Sequence, residues 1–319
     1  MNLYSNNLGE HLMCFRKKAW LISIVLIIAF TFVSCLNDGI SKNYNDAKQY
    51  FLSGNYDSAL KSIDVAIEKD NKQAAFYLLK AYILYKSSAP LNDVIAQCTN
   101  ALEIDENNIE AKILKANCLA ENKDNSYEAI MEDITSKTYD DANILVGIAE
   151  VYETAGNYEQ ALAYYEEALK IKDDINIKSY MIQCYIDLQD YENAINLCDE
   201  IIDKDPNNMD ALEKKIFSLN ELEKYNEAVD LANNSLKINT SYAVFYYELY
   251  YAYFNLDDYD LSLANINKYI ELNPDEAEGY LYRAKLEKEL GDTSNVEQDM
   301  QVYIAKGGDK EKGDVFLND

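Results

Sequence analysis

Apolar residues recur three and four positions apart along most of this chain. Leu145, Ile148, Ala149 and Tyr152 show the i, i+3, i+4, i+7 spacing that marks one face of a helix. Two stretches break the rhythm. Ala19 to Val33 (AWLISIVLIIAFTFV) is an unbroken apolar run of 15 residues, and Ala243 to Phe254 (AVFYYELYYAYF) is apolar almost all round. Only 10 Gly and 3 Pro in 319 residues leave few turns for a β fold, so the pattern predicts an all-α protein.

The helical pattern is itself repeated. Gly54-Asn55-Tyr56-Asp57-Ser58-Ala59-Leu60 recurs as Gly156-Asn157-Tyr158-Glu159-Gln160-Ala161-Leu162. Weaker copies begin at Asp190-Tyr191, Lys224-Tyr225 and Asp258-Tyr259, and the four tyrosines from Tyr158 to Tyr259 are spaced 33, 34 and 34. Seven residues after the Ala comes a second small residue, as in Ala59/Ala66 and Ala161/Ala168, and Asp205-Pro206 and Asn273-Pro274 close two of the copies. This unit resembles the tetratricopeptide repeat, two antiparallel helices in 34 residues. The resemblance implies a right-handed α-solenoid of about eight helix-turn-helix units over residues 40–305, phased 40–73, 74–108, 109–141, 142–174, 175–208, 209–242, 243–276 and 277–305. Small residues let second helices approach their neighbours, Tyr fills the turn, and each unit buries its stripe only against the next. The second unit carries an extra residue near Ser88-Ala89-Pro90. The third has Ser136 in place of the second Ala, and its junction Lys137–Asp141 reads either as a softer point or as ordinary drift. Residues 306–319 read as a polar tail.

The amino-terminal run is too short to span a bilayer, which takes about 20 residues. Behind the basic Arg16-Lys17-Lys18 it has the length of a signal-peptide core. It ends Phe32-Val33-Ser34-Cys35, which resembles the lipobox of bacterial lipoproteins, with Phe32 in place of the usual Leu. The resemblance implies a signal peptide over residues 1–34, with the residues ahead of Met13 reading as an over-long start. Cys35 would be the lipidated amino terminus and 35–39 a short linker, in a bacterial cell envelope. Leu36, where an Asp would signal retention, points to the outer membrane if the cell has one. Two acyl chains on one residue give stable anchoring.

Charge and composition narrow the function. The formal net charge is -27, from 56 acidic and 29 basic residues. Such a chain repels phosphate, which argues against nucleic-acid binding. Residues 1–34 hold the only His (His11) and the only Trp (Trp20), and a mature chain without His has no imidazole base or imidazole metal ligand. Ser-His-Asp and Cys-His catalysis are excluded. No glycine-rich phosphate loop, calcium loop or CxxC is present, so no enzyme, cofactor or metal site is expected. Cys98 and Cys198 share one repeat position and Cys118 and Cys184 another, where the array takes small apolar residues. Buried free thiols are the simpler reading, with Cys184–Cys198 the best pair should export oxidise them.

Partner-binding residues are sought on the first helix of each unit, on the face beside its core stripe, which in the family lines the concave groove. In the seventh unit that face carries Tyr247, Tyr251 and Phe254, in the second Tyr82 and Tyr85, and in the first Tyr44 and Phe51. Between them it is acidic, with Glu150, Glu153, Asp187 and Glu213. Two readings stand: aromatic anchors flanking a negative middle that suits a basic and apolar peptide, or rings swallowed as core between adjacent first helices. Lys86, Asn117 and Lys214 are too scattered to form the family's carboxylate clamp. The expectation is a non-enzymatic, lipid-anchored adaptor that holds a protein or peptide partner. The alternative is a glycan-capturing lipoprotein of a carbohydrate uptake system, with the same rings stacking on sugars.

Overall fold

A computed structural model describes residues 38–291 and 295–309. The signal segment and Cys35 lie outside these residues, as does the tail beyond 309. The described residues form sixteen α-helices and no strand. First helices of successive pairs are α1 (Asp38–Leu52), α3 (Ala74–Lys86), α5 (Ile109–Glu121), α7 (Ala142–Thr154), α9 (Ile175–Asp187), α11 (Met209–Glu221), α13 (Ala243–Asn255) and α15 (Ala277–Glu289). Second helices are α2 (Tyr56–Lys69), α4 (Leu91–Ile104), α6 (Tyr127–Thr135), α8 (Tyr158–Ile171), α10 (Tyr191–Lys204), α12 (Tyr225–Leu236), α14 (Tyr259–Leu272) and α16 (Val296–Ala305). Among the described residues no helix is long and apolar enough to cross a membrane. The chain divides into two compact units, the first ending at Ile177 and the second beginning at Lys178.

The turn inside each pair is built one way throughout. The residue two places past the first helix takes a left-handed backbone: Gly54, Ser88, Lys123, Gly156, Gln189, Glu223, Asp257 and Gly291 all have φ between 57° and 80°. In the first pair Asn55 N–H donates to the Tyr50 carbonyl at 2.8 Å and Gly54 N–H to that of Phe51 at 3.0 Å, so the last carbonyls of α1 are satisfied. Asn55 then caps α2, its side chain accepting from Ser58 N–H at 3.2 Å. Asp190 and Asp258 repeat this for α10 and α14. One residue thus ends one helix and starts the next, which is why the Gly-Asn-Tyr phrase is so short.

Between pairs, acidic residues do the same work. Asp70, Asp105, Asp174 and Asp205 each accept from the N–H two residues on, at 2.9–3.2 Å. Asn108 and Asn208 cap α5 and α11.

In the first unit the core gathers around Ala59, Ile63, Ala66, Phe76, Leu79, Ile83 and Cys98. The third pair departs from its neighbours. Helix α6 spans only 9 residues, and of the third pair it is α5, not α6, on which α7 rests. Tyr139 covers the shortened end, its hydroxyl donating to the Ile134 carbonyl at 3.1 Å, and Tyr152 stacks on Tyr164 at 5.6 Å. In the second unit, cores centre on Ile182, Cys198 and Ile201, on Ile216, Ala232 and Phe245, and on Tyr250, Ile266 and Tyr282. Helix α16 ends in the same left-handed manner at Gly307, after which Gly308 N–H returns to the Tyr303 carbonyl. The cysteines Cys98, Cys118, Cys184 and Cys198 are all buried and none forms a disulfide, and burial pushes the Cys98 and Cys198 thiols up to about 12.

At Gly156 an added Cβ would meet nothing within 4 Å, so only its φ of +80° opposes substitution. Gly156→Ala is therefore expected to cost about 1 kcal/mol in urea unfolding, while Gln189→Gly, which relieves the same strain, gains a fraction of that. Equal stability of the Ala variant and the parent would show that the turn does not depend on this conformation.

Candidate functional site

The sequence-selected residues fall into two groups, one in each unit. In the first unit Tyr82 is only 4% exposed. It is a core residue and not an accessible anchor, because α3 buries Phe76, Leu78, Leu79, Ala81 and Ile83 along with it. Tyr44 and Phe51 are core as well, Tyr44 stacking on Phe76 at 5.0 Å. Tyr85, half-buried, stands in a polar ladder across three first helices. Its hydroxyl donates to Glu121 at 3.3 Å and accepts from Asn117 Nδ2 at 3.3 Å, and Thr154 Oγ1 donates to Asn117 Oδ1 at 2.9 Å. Asn117 is thus used inside the array. Glu153 accepts from the buried Tyr165 hydroxyl at 2.8 Å, so it faces its own second helix rather than the ladder. Glu150 is half-exposed, and its charge bears on Tyr82, Tyr85 and Lys86. Burial lowers the Lys86 ammonium while Glu150 opposes the shift. Burial, with Asp141 nearby, pushes Glu110 up to about 7.

In the second unit Tyr247, Tyr251 and Phe254 are half-buried and pack on the cluster around Tyr250 and Tyr282. Tyr247 lies 5.1 Å from the Tyr282 ring and 5.8 Å from that of Tyr269, and Phe254 lies 5.8 Å from Tyr259. These rings belong in large part to the core, with one side left open. Tyr251 meets Tyr225 edge to face at 6.3 Å.

Beside the rings sit three carboxyl groups. Glu213 accepts from the Tyr242 hydroxyl at 2.5 Å, and Glu221 accepts from the Tyr191 hydroxyl at 3.3 Å. Glu248, 4% exposed, accepts from Asn220 Nδ2 at 2.7 Å. Burial, and after it the charges of Glu213 and Glu221, push Glu248 up to about 8 against the single lowering contact from Asn220. Burial raises Glu213 and Glu221 too. The nearby lysines are engaged elsewhere, Lys214 by Asp210 and Lys215 by Asp199. Asp187 is half-exposed on α9, where Gln183 donates to it at 3.4 Å, and its charge bears on Tyr191.

Sequence reasoning selected Glu213 but missed Glu221, Asn220 and Glu248. The signal for Glu248 was present: it is the one acid in the apolar Ala243–Phe254 segment. Asn220 follows Glu213 by seven residues, which sets both on one stripe of α11. Among the described residues no group of three or more His, Cys, Asp or Glu is arranged to hold a metal ion.

The sequence profile of the tetratricopeptide repeat matches residues 128–174, 152–216 and 243–276. A tetratricopeptide repeat protein from Parabacteroides merdae, of known crystal structure, is 18% identical with a TM-score of 0.57, over 88% of this chain and 98% of that one. MamA from Desulfovibrio magneticus is 20% identical with a TM-score of 0.48, over 53% of this chain and 97% of that one. A thermophilic repeat protein of Thermus thermophilus is 15% identical with a TM-score of 0.48, over 56% of this chain and 98% of that one. The profile matches and the first of these structures agree with the helix pairs: the fold is an all-α tetratricopeptide-repeat solenoid.

The pH dependence of stability follows from Glu248. Unfolded, its carboxyl titrates near the ordinary 4.5; folded, near 8. Between those values the folded chain keeps a proton that the unfolded chain releases, so stability falls as pH rises through that window. Glu110 acts in the same direction in the first unit, up to about 7. Thermal melting is expected at a lower temperature near pH 8 than near pH 5. Glu248→Gln should raise the pH 8 midpoint by about 3 °C or more and shrink the difference. An unaltered pH profile in the variant would show that Glu248 ionises freely.

Proposed function

Because the chain carries tetratricopeptide repeats, a fold that commonly serves as a protein–protein interaction scaffold, we propose that it is a non-enzymatic adaptor of a bacterial cell envelope. Cys35 carries its lipid anchor, in the outer membrane if the cell has one. The first-helix faces hold a protein or peptide segment rich in basic and apolar residues during envelope assembly. The observation that carries the partner's chemistry is the pair Glu213 and Glu221, half-exposed and hydrogen-bonded by tyrosine hydroxyls and not by a lysine or arginine. A face that presents carboxyl groups beside half-open rings recognises cations and apolar side chains together.

What supports the anchor is sequence alone: the basic Arg16-Lys17-Lys18, the apolar run and Cys35. What supports a non-enzymatic role is the absence of His after residue 34 and the fold itself. Glycan capture would need open ring faces for sugars to stack on, whereas Tyr247, Tyr251 and Phe254 lie largely against other rings. That reading gains nothing from the geometry.

Two measurements test the proposal in intact cells. The wild-type chain is expected in the membrane fraction and Cys35→Ser in the soluble one; identical partition of the two would remove the anchor. A photo-crosslinking residue at Glu213, on a first helix, should capture a protein partner several-fold more than one at the exposed Glu192 on a second helix. Equal capture at both sites would remove the first-helix face as the docking surface.

A further inference from the structure

Equivalent positions of successive first helices lie side by side in a stacked array. In the second unit, residues 34 apart therefore form rows across α11, α13 and α15. One row reads Glu213, Tyr247, Leu281, the next Phe217, Tyr251, Lys285, and the third Asn220, Phe254, Lys288. Contacts tie the rows together. Asn220 Nδ2 donates to the Glu248 main-chain carbonyl at 3.2 Å, which joins α11 to α13. The Tyr247 ring lies 5.1 Å from that of Tyr282, and the Tyr250 hydroxyl donates to the Tyr282 carbonyl at 3.4 Å, which joins α13 to α15. Lys285 Nζ stands 5.8 Å from the centre of the same Tyr282 ring. Glu213, Glu221, Tyr251, Phe254, Lys285 and Lys288 all keep part of their surface in water.

The charge of this face changes sign from one side to the other. Helix α11 brings Glu213 and Glu221, α13 brings the rings, and α15 brings Lys285 and Lys288. The lysines of α11 are held by aspartates, Lys214 by Asp210 and Lys215 by Asp199. On α15, Arg283 donates to Asp299 at 2.6 and 2.7 Å and to Asn267 at 2.7 Å, so it serves the packing of the last helices. The acids of α15 bear on other groups: Glu278 on Tyr269 and Tyr303, Glu287 on Arg283, and Glu289 on Tyr259. Packed helices stand 8–10 Å apart, so about 20 Å separates the acidic side from the basic side.

We propose that this face takes one extended segment of the partner protein whose charges run in the complementary order. Its basic residues lie over α11, an apolar stretch lies over Tyr251 and Phe254, and its acidic residues lie over Lys285 and Lys288. This rests on the scaffold reading above and gives that face its specificity. At about 3.3 Å per residue, an extended chain spans the gap with about six residues between its charged ends. A segment basic throughout is discriminated against, because its far end meets two lysines. A second copy of this chain or an anionic bilayer is disfavoured by the net charge of -27.

The test uses the full-length protein in detergent at low salt and three capped, labelled peptides read by fluorescence anisotropy. The bipolar peptide has two lysines, six residues alternating leucine and serine, and two glutamates. The mixed peptide has the same composition with one lysine and one glutamate at each end. The basic peptide has lysines at both ends. The bipolar peptide should bind about fivefold or more tightly than the mixed one. The double variant Lys285→Glu, Lys288→Glu should weaken the bipolar peptide by a similar factor and bind the basic peptide best, with an unaltered circular dichroism spectrum. Such an exchange of preference is not produced by mere damage to the fold. Lys237→Glu, exposed at the end of α12, should leave the order of affinities unchanged. Equal binding of the bipolar and mixed peptides, or a double variant that keeps the original preference, would overturn the proposal. So would a dimer in sedimentation that the double variant dissociates, since it would assign the face to a second copy. Crosslinking from Glu213 in cells separates the two ideas: if it persists while the peptides bind equally, the scaffold stands and this order of charges falls. If both fail, the docking face itself is lost.

Discussion

At Ala59, Ala66, Ala161 and Ala168 nothing larger than a methyl group separates a second helix from its neighbours, and all four residues are fully buried. That close approach is the constraint under which the rest of each unit is arranged. The largest fully buried side chains, among them Phe76, Tyr165, Phe245 and Tyr250, fill the rest of the interior. The turns must be short to keep the pairs antiparallel and near. A left-handed residue followed at once by the next helix supplies that shortness, even where the residue is Lys123, Gln189, Glu223 or Asp257 instead of glycine. That local strain is tolerable because each pair buries its apolar stripe against the next.

The acidity of the chain divides into two kinds with different consequences. Aspartates at the turns accept backbone N–H groups and are stabilised as anions; Asp70 and Asp174 are held below the usual carboxylate range by their hydrogen bonds, above all from Gln73 and Lys172 respectively. This kind builds the fold. The first-helix carboxyl groups are the other kind. Glu110, Glu213, Glu221 and Glu248 are partly or wholly removed from water and pushed upward by burial. Holding such groups opposes stability at neutral pH, and proteins keep costs of that sort most often where a surface serves recognition.

Much of the architecture was legible in the residue pattern. The Gly-Asn-Tyr phrase, its spacing and the paired small residues announced helix pairs, because a turn of this type and a close helix contact each admit few residue types. The third pair was flagged by Ser136 in place of the second Ala, but its outcome, a shortened α6 with α7 resting on α5 and Tyr139 over the gap, was not foreseen. Local spacing does not say which of two neighbouring helices takes up a vacated contact.

The functional surface was legible in part. Residue periodicity assigns a side chain to one face of its own helix, and Tyr82, Tyr85, Tyr247, Tyr251 and Phe254 were chosen on that basis. Whether such a face stays open depends on how closely the next helices pack, a distance that no single helix encodes. The tertiary structure closed over Tyr82, half-closed over Tyr247, turned Glu153 towards Tyr165, and set Asn220 against Glu248 from a neighbouring first helix. The sequence by itself determined the repeat, the helix caps and the sign of the charge, since each is a local property of a few adjacent residues. Tertiary packing alone decided which carboxyl groups lost their water and found no cation, because that depends on side chains brought together from repeats 28 or more residues apart.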